Sequence, residues 1–342
     1  MTNTSRCPGA NIMTSAVPLS ILDLCPVTLG STPAQALHNS LGLARFAEQE
    51  GYHRFWVAEH HNMTGIASAA TSVVIGYLAA GTERIRVGSG GIMLPNHSPL
   101  QIAEQFGTLE SLYPGRIDLG LGRAPGTDMA TARALRRGRT DGEDFPQMLE
   151  ELRYYFAEPE PGQRLVAVPG AGLNVPIWLL GSSTFSAQLS ASLGLPFAFA
   201  GQFSPDYMMA AMQGYRDNFQ PSAELERPLA MLGINAFVAE TRDEAHYLAS
   251  SHQQSFLNMI RGERGQLRPP VEDMDALWQP HERHQVLSTL AGTLIGDEQS
   301  VAQQMADLLQ RSGADELIIN SPIYDQDKRR DSYRRLMKAA RI

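Results

Sequence analysis

Short, almost wholly apolar runs alternate with longer helical segments along most of this chain. Leu19–Val27 reads as a first strand. Thr32-Pro33 then opens a helix to about Glu50, with Thr as N-cap and Pro at the first helical position. Arg54–His61 (RFWVAEHH) is a second, aromatic-rich strand, followed by a small-residue helix over Ala67–Ala80. Ile85–Leu94 is a third strand with a glycine pair in it, and Ser98-Pro99 caps a helix ending near Leu112. After the Tyr113-Pro114-Gly115 turn, Arg116–Arg123 is a fourth strand. The pattern then predicts a helix over about Gly142–Phe156 and a Pro/Gly-rich connector over 157–175. Strands follow at Pro176–Ser183, Pro196–Phe203 and Leu229–Ala239, with helices over Ser186–Leu193, over Pro205–Phe219 and from Asp243. A last strand at Glu316–Ile323 precedes a closing helix.

The strands are nearly continuously apolar, as strands covered on both faces are. Alternation of such strands with helices predicts a closed parallel barrel or a doubly wound sheet, and the count of eight selects a (β/α)8 TIM barrel. The 342 residues exceed the roughly 250 that such a barrel needs. The expectation is one domain over residues 18–342, preceded by a flexible tail over 1–17. Residues 253–295 break the rhythm and hold Arg268-Pro269-Pro270 and an isolated Trp278. They read as an insertion after strand 7, placed where a lid would be.

Charge narrows the function. Lys and Arg number 28 against 36 Asp and Glu, a net charge of −8, which argues against general nucleic-acid binding. The cluster Lys328, Arg329, Arg330, Arg334 and Arg335 reads as the solvated face of the final helix. Cys7 and Cys25 make neither a disulfide framework nor a metal-ligand spacing. No apolar leader and no run of 18 apolar residues is present, so a cytoplasmic chain with no membrane span is expected.

In a barrel of this class the chemistry sits at the C-terminal strand ends. Those ends carry Cys25, Glu59-His60-His61, Gly90-Gly91, Gly122-Arg123, Gly181-Ser182-Ser183, Gln202 and Asn320-Ser321, and polar residues are expected there and not at the strand starts. Neighbouring strand residues face opposite ways, so one of His60 and His61 would face the site, where an imidazole can move a proton near neutral pH. The alternative is a structural histidine. No third ligand stands at a metal spacing, so no metal is expected. The run from Gly120 to Gly126 misses the dinucleotide fingerprint by one position. Arg123 offers a fork for a phosphate or a surface ion pair. Ser182, Ser183 and Ser186, at a helix start, suit an anion beyond the single hydroxyl that capping requires. Gly90-Gly91 inside a buried strand calls for close packing or a flat ligand against the backbone.

Several segments, in order, resemble the bacterial luciferase-like monooxygenase family: WVAEHHNMTGIAS (56–68), IRVGSGGIMLPNHSPLQIAEQF (85–106), GRIDLGLGRAPGTD (115–128), GSSTFSAQLSASLGLPFAFA (181–200) and 291–320. Within that family the chain looks most like the bacterial luciferase-like oxidoreductases of unassigned substrate. The resemblance implies FMN in its reduced form (FMNH2), O2, and oxygenation of a small organic substrate through a flavin C4a-peroxide. It implies that His60 is the catalytic histidine and that Gly90-Gly91 forms a cis peptide under the flavin. By the same resemblance Gly122 would take the place of the reactive cysteine of light-emitting members, and Arg123, Ser182, Ser183 and Ser186 would hold the FMN phosphate. With no nicotinamide fingerprint in the chain, a separate flavin reductase is expected; the resemblance further implies a homodimer, for which the small-residue helix Ser68–Ala80 would suit close approach. An F420-dependent hydride-transfer oxidoreductase on the same barrel and a non-catalytic flavin-binding protein are the competing expectations.

Overall fold

The computed structural model describes residues 17–124, 128–135, 142–263 and 265–342. The expected N-terminal tail lies outside the described residues, save Val17. The chain forms β1 (Leu19–Asp23), α1 (Pro33–Glu50), β2 (Arg54–Val57), α2 (Thr71–Ala80), β3 (Arg86–Met93), α3 (Pro99–Leu112) and β4 (Ile117–Gly122). It continues through α4 (Met129–Leu135), α5 (Phe145–Phe156), β5 (Ile177–Gly181), α6 (Thr184–Leu193), β6 (Phe197–Ala200), α7 (Met208–Asp217) and β7 (Ala230–Val238). It ends with α8 (Arg242–Ile260), α9 (Pro280–Thr289), β8 (Leu294–Gly296), α10 (Glu298–Ser312), β9 (Glu316–Asn320) and α11 (Gln326–Ala339). Strands β1 to β7 pair in sequence order, and β9 pairs with both β7 and β1, so eight parallel strands close into a (β/α)8 barrel. The short β8 pairs only with the far end of β7, outside the closed ring.

Local signals set the helix starts. Thr32 accepts from the Gln35 N–H ahead of Pro33, as the sequence predicts. Ser98 stands at the N-cap of α3 but makes no side-chain capping bond, so Pro99 alone marks that start. Outward strand residues such as Ile21, Phe55, Val87 and Leu119 pack under the helices in the main core.

The barrel interior is layered. Ser20, Arg54, Arg86, Asp118 and Glu316 fill its N-terminal end. Arg54 bonds Asp118 at 2.8 Å and Glu316 at 3.0 Å, Arg86 bonds Asp118 at 2.5 Å, and Ser20 donates to Glu316. This corrects the expectation that polar residues avoid the strand starts. Charges there are tolerated because they neutralise one another across strands. Above them lie Leu22, Trp56, Trp178, Met231 and Ile318, with the two indoles edge to face at 5.5 Å. Alternation then brings Ala58, Gly90, Gly120, Ala200 and Gly233 to the inward side. Small residues thus occupy much of this level, beside the Leu180 side chain.

The basic cluster near the C-terminus is no open patch. Arg329 is fully buried and pairs with Asp23 at 2.7 Å, tying α11 to β1, and Ser40 donates to the same carboxylate. Lys328, Arg330, Arg334 and Arg335 each meet a carboxylate. The expected solvated face therefore holds for only part of the cluster.

Three helices and β8 occupy the path from β7 to β9. The expected insertion start at 253 falls inside α8, which runs unbroken to Ile260. Trp278 packs with Leu257, Met274, Val286 and Leu290 in a small satellite core. Beyond α8 the chain reaches the loop after β1: Leu267 N–H donates to the Val27 carbonyl at 2.9 Å, and Leu29 N–H donates to the Leu267 carbonyl at 2.8 Å. The segment is thus strapped to the rim of the barrel mouth.

Candidate functional site

β2 delivers the Glu-His-His sequence to the mouth. Pairing stops at Val57, four residues before the predicted end at His61, and the chain turns out of the sheet. Glu59 N–H still donates to the Gly91 carbonyl at 3.3 Å. The Glu59 side chain is buried and collects four donors. They are the Met93 N–H at 2.9 Å, Asn96 Nδ2 at 3.1 Å, His61 Nε2 at 2.7 Å and His97 Nε2 at 2.9 Å. Burial alone would raise the Glu59 pKa. The hydrogen bonds from His61 and His97, with the nearby His97 and the Met93 N–H, outweigh it and pull the carboxyl down to about 2. A depressed pKa means that ionised Glu59 stabilises the fold above the ordinary glutamate range. That stability fades as the pH falls toward 2. Glu59 is therefore an anchor between the loops after β2 and β3. His97 is the member that the sequence reading did not single out.

His60, between the two anchored residues, is half-buried at the mouth. Trp56 and Ala58 belong to the interior cluster, and His60 follows two residues later, beyond the end of β2. Asn62 adopts a left-handed φ of 55°, which asparagine tolerates better than most residues. Its amide donates to Thr131 Oγ1 at 2.9 Å and to Asp128 at 3.3 Å. Asp128 in turn accepts from the N–H of Ala130 and of Thr131 at the start of α4. Neither Asn62 nor Asp128 was anticipated.

The Gly90–Gly91 peptide is cis. It sits where the β3–β4 register slips between Gly90 and Ile92. A Cβ on Gly91 would lie 2.6 Å from the Gly120 carbonyl oxygen, and one on Gly90 would lie 2.6 Å from Leu22 Cδ1. The pair is thus required first by close packing of protein on protein. Gly122 ends β4 beneath the Met93 thioether, 2.6 Å from where its Cβ would be.

Arg123 follows directly and lies over the Phe185 ring, 4.2 Å from its centroid, in the first turn of α6. Ser183 is the N-cap of α6 and makes no side-chain capping bond. Ser182 and Ser183 are half-buried, and Ser186 is buried against Gly181. The fold thus brings Arg123, 59 residues earlier than Ser182 in sequence, to the same helix start as the three serines. A cation and the N–H groups of a helix start together make an anion site. The last residue of the sequence motif, Gly126, lies outside the described residues.

Comparison with known proteins gives a consistent result. Residues 18–316 match the family model described as luciferase-like monooxygenase. The chain is 53% identical to a luciferase-like monooxygenase of Escherichia coli (strain K12), covering 93% of this chain and 95% of that one. It is 34% identical to the N-acetyl-S-alkylcysteine monooxygenase of Bacillus subtilis (strain 168), covering 94% and 97%. The crystal structure of apo-MsnO8 superposes with a TM-score of 0.84 at 36% identity, covering 94% and 98%.

Proposed function

Since the chain belongs to the luciferase-like monooxygenase family, we propose that it is a flavin-dependent enzyme that uses reduced FMN and O2 to oxygenate a small organic substrate. The observation that carries this reading is Arg123 held on Phe185 beside the α6 start, where no side chain caps the helix. An FMN phosphate suits that site: Arg123 supplies the charge, and the N–H groups and hydroxyls of Ser182, Ser183 and Ser186 supply donors. Gly90, Gly91 and Gly122 would lie along the ring, as the resemblance of the β3 and β4 segments implies. Bound in reduced form, FMN would supply the activation of O2, which no side chain can do. His60 would move a proton at the reacting atoms, with Glu59 and His61 fixing the loop that carries it. The strap after α8 would act as the lid that keeps bulk water from the mouth. No dinucleotide fingerprint is present, so a separate reductase would provide the reduced flavin.

The test is an anaerobic titration of purified protein with reduced FMN and, in parallel, reduced F420, followed by admission of O2. Binding of reduced FMN and an oxygen-dependent product support the reading, and N-acetyl-S-alkylcysteines, named for the Bacillus relative, are the first compounds to offer. Tight F420 binding with no oxygen uptake overturns it in favour of hydride transfer. Arg123→Ala should weaken FMN binding roughly 10- to 100-fold, the usual loss for a charge-assisted phosphate contact.

A homodimer belongs to the same reading. α2 is apolar on nearly every side, yet leaves Val73 71% exposed, and Leu112 at the end of neighbouring α3 is 64% exposed. A second copy covering this face would bury both. Sedimentation equilibrium should show a dimer that Val73→Asp dissociates, and a monomeric wild type would remove the assignment.

A further inference from the structure

Three carboxamides meet at the mouth on the side away from the glycine pair. Asn235 of β7 and Asn320 of β9 are register partners. They continue the inward faces of Met231 and Ile318. Asn320 Nδ2 donates to Asn235 Oδ1 at 2.9 Å, and Asn235 Nδ2 donates to the backbone carbonyl of Gln202 at 2.7 Å. The ladder thereby fixes the turn after β6 that carries Gln202.

The Gln202 side chain folds back over Gly233, where a Cβ would stand 2.4 Å from its Oε1. A side chain at 233 would displace this amide from its place. Among the described residues Oε1 is buried with no hydrogen-bond partner. A buried acceptor left unmet is unfavourable, and the two asparagines fix the backbone of the turn from which this amide projects. Its position inside the mouth points to a donor that arrives with a bound molecule.

We propose that Gln202 Oε1 is a specificity-determining acceptor for an N–H or O–H donor on the substrate. The inference rests on the monooxygenase reading, which assigns the β3–β5 side to the flavin and leaves β6, β7 and β9 facing the other reactant. The substrate class is then a small molecule with a donor such as a secondary amide near the oxygenated atom, and not a bare hydrocarbon or aldehyde.

Calorimetric titration of the FMN-loaded wild type and of Gln202→Met tests it, with N-acetyl-S-benzylcysteine and its N-methylated analogue as probes. The wild type should bind the N–H compound roughly tenfold tighter than the N-methyl compound. Gln202→Met should bind the two alike, with unchanged FMN affinity and an apo thermal midpoint no lower than wild type. A wild type that binds both alike, or neither, overturns the proposal. So does a variant that keeps the preference, or one whose midpoint falls, which marks a structural amide. A variant that loses FMN affinity by the same factor shows the donor to be the flavin's and overturns the substrate role. Oxygen uptake with the N–H compound is read separately. If uptake is absent while the preference and its loss in Gln202→Met persist, the monooxygenase reading fails and the Gln202 acceptor stands.

Discussion

Turnover is expected to fall about 10²- to 10⁴-fold when His60 becomes alanine, while FMN affinity and thermal midpoint stay near those of the wild type. The expectation follows from how the three consecutive polar residues divide the work. Glu59 is consumed by four donors, and His61 is one of them. Both are therefore positioning residues. His60 stands half-buried between them at the mouth, where a proton can be exchanged. Glu59→Gln provides the contrast. It keeps the volume but removes the charge and one acceptor, so the loops after β2 and β3 loosen together. Activity and thermal midpoint should then fall in step, which His60→Ala should not do. Oxygen uptake under saturating reduced FMN, measured beside thermal unfolding, separates the two. Unchanged uptake in His60→Ala would remove the residue from the chemistry.

The sequence made the barrel legible because strands buried on both faces leave nearly unbroken apolar runs. All eight closing strands fall within the predicted segments. What it hid is mostly short or non-local, with α10, a fifteen-residue helix that the pattern reading does not predict, as the exception. β8 has three residues, too few for any periodicity, and α4 has seven. β2 was read four residues too long because RFWVAEHH stays apolar and aromatic up to Glu59, whereas the demand of the buried carboxylate for donors bends the chain away. His97 lies 38 residues from Glu59 and meets it only because the turn after β3 folds back. Its histidine in LPNHSP gives no local sign of that partnership. Arg123 and the serines were each readable as anion ligands, but their meeting at α6, with Phe185 as the platform, is a product of the fold. The charges at the strand starts escaped notice because each stands alone in its own strand. Only closure of the barrel makes Arg54, Arg86, Asp118 and Glu316 neighbours.

That closure yields the second large expected effect. Asp118→Ala should lower the unfolding free energy by about 3–5 kcal/mol, the range for removing one partner from a buried ion network. Asp118 is fully buried and accepts from Arg54 at 2.8 Å, from Arg86 at 2.5 Å and from the Trp56 indole N–H at 3.1 Å. Its loss takes one carboxylate partner from each of two guanidinium groups at the closed end of the barrel and leaves an indole N–H unmet in the layer above. Arg54, already stacked 4.9 Å from the Trp178 ring centroid, would keep Glu316 as its carboxylate partner among the described residues. Asp307→Ala, which breaks the exposed Arg311–Asp307 pair on α10, should change stability by less than about 1 kcal/mol, because solvent screens that contact. Urea unfolding of both variants measures the difference, and equal midpoints would show that the network does not hold the barrel. The same variant also tests the division of labour between the two ends of the fold. The network lies at the N-terminal end and the candidate site at the C-terminal end, so the fraction of Asp118→Ala that remains folded should keep wild-type affinity for FMN. A large loss of affinity per folded molecule would mean that the charged layer shapes the mouth through the two indoles between them.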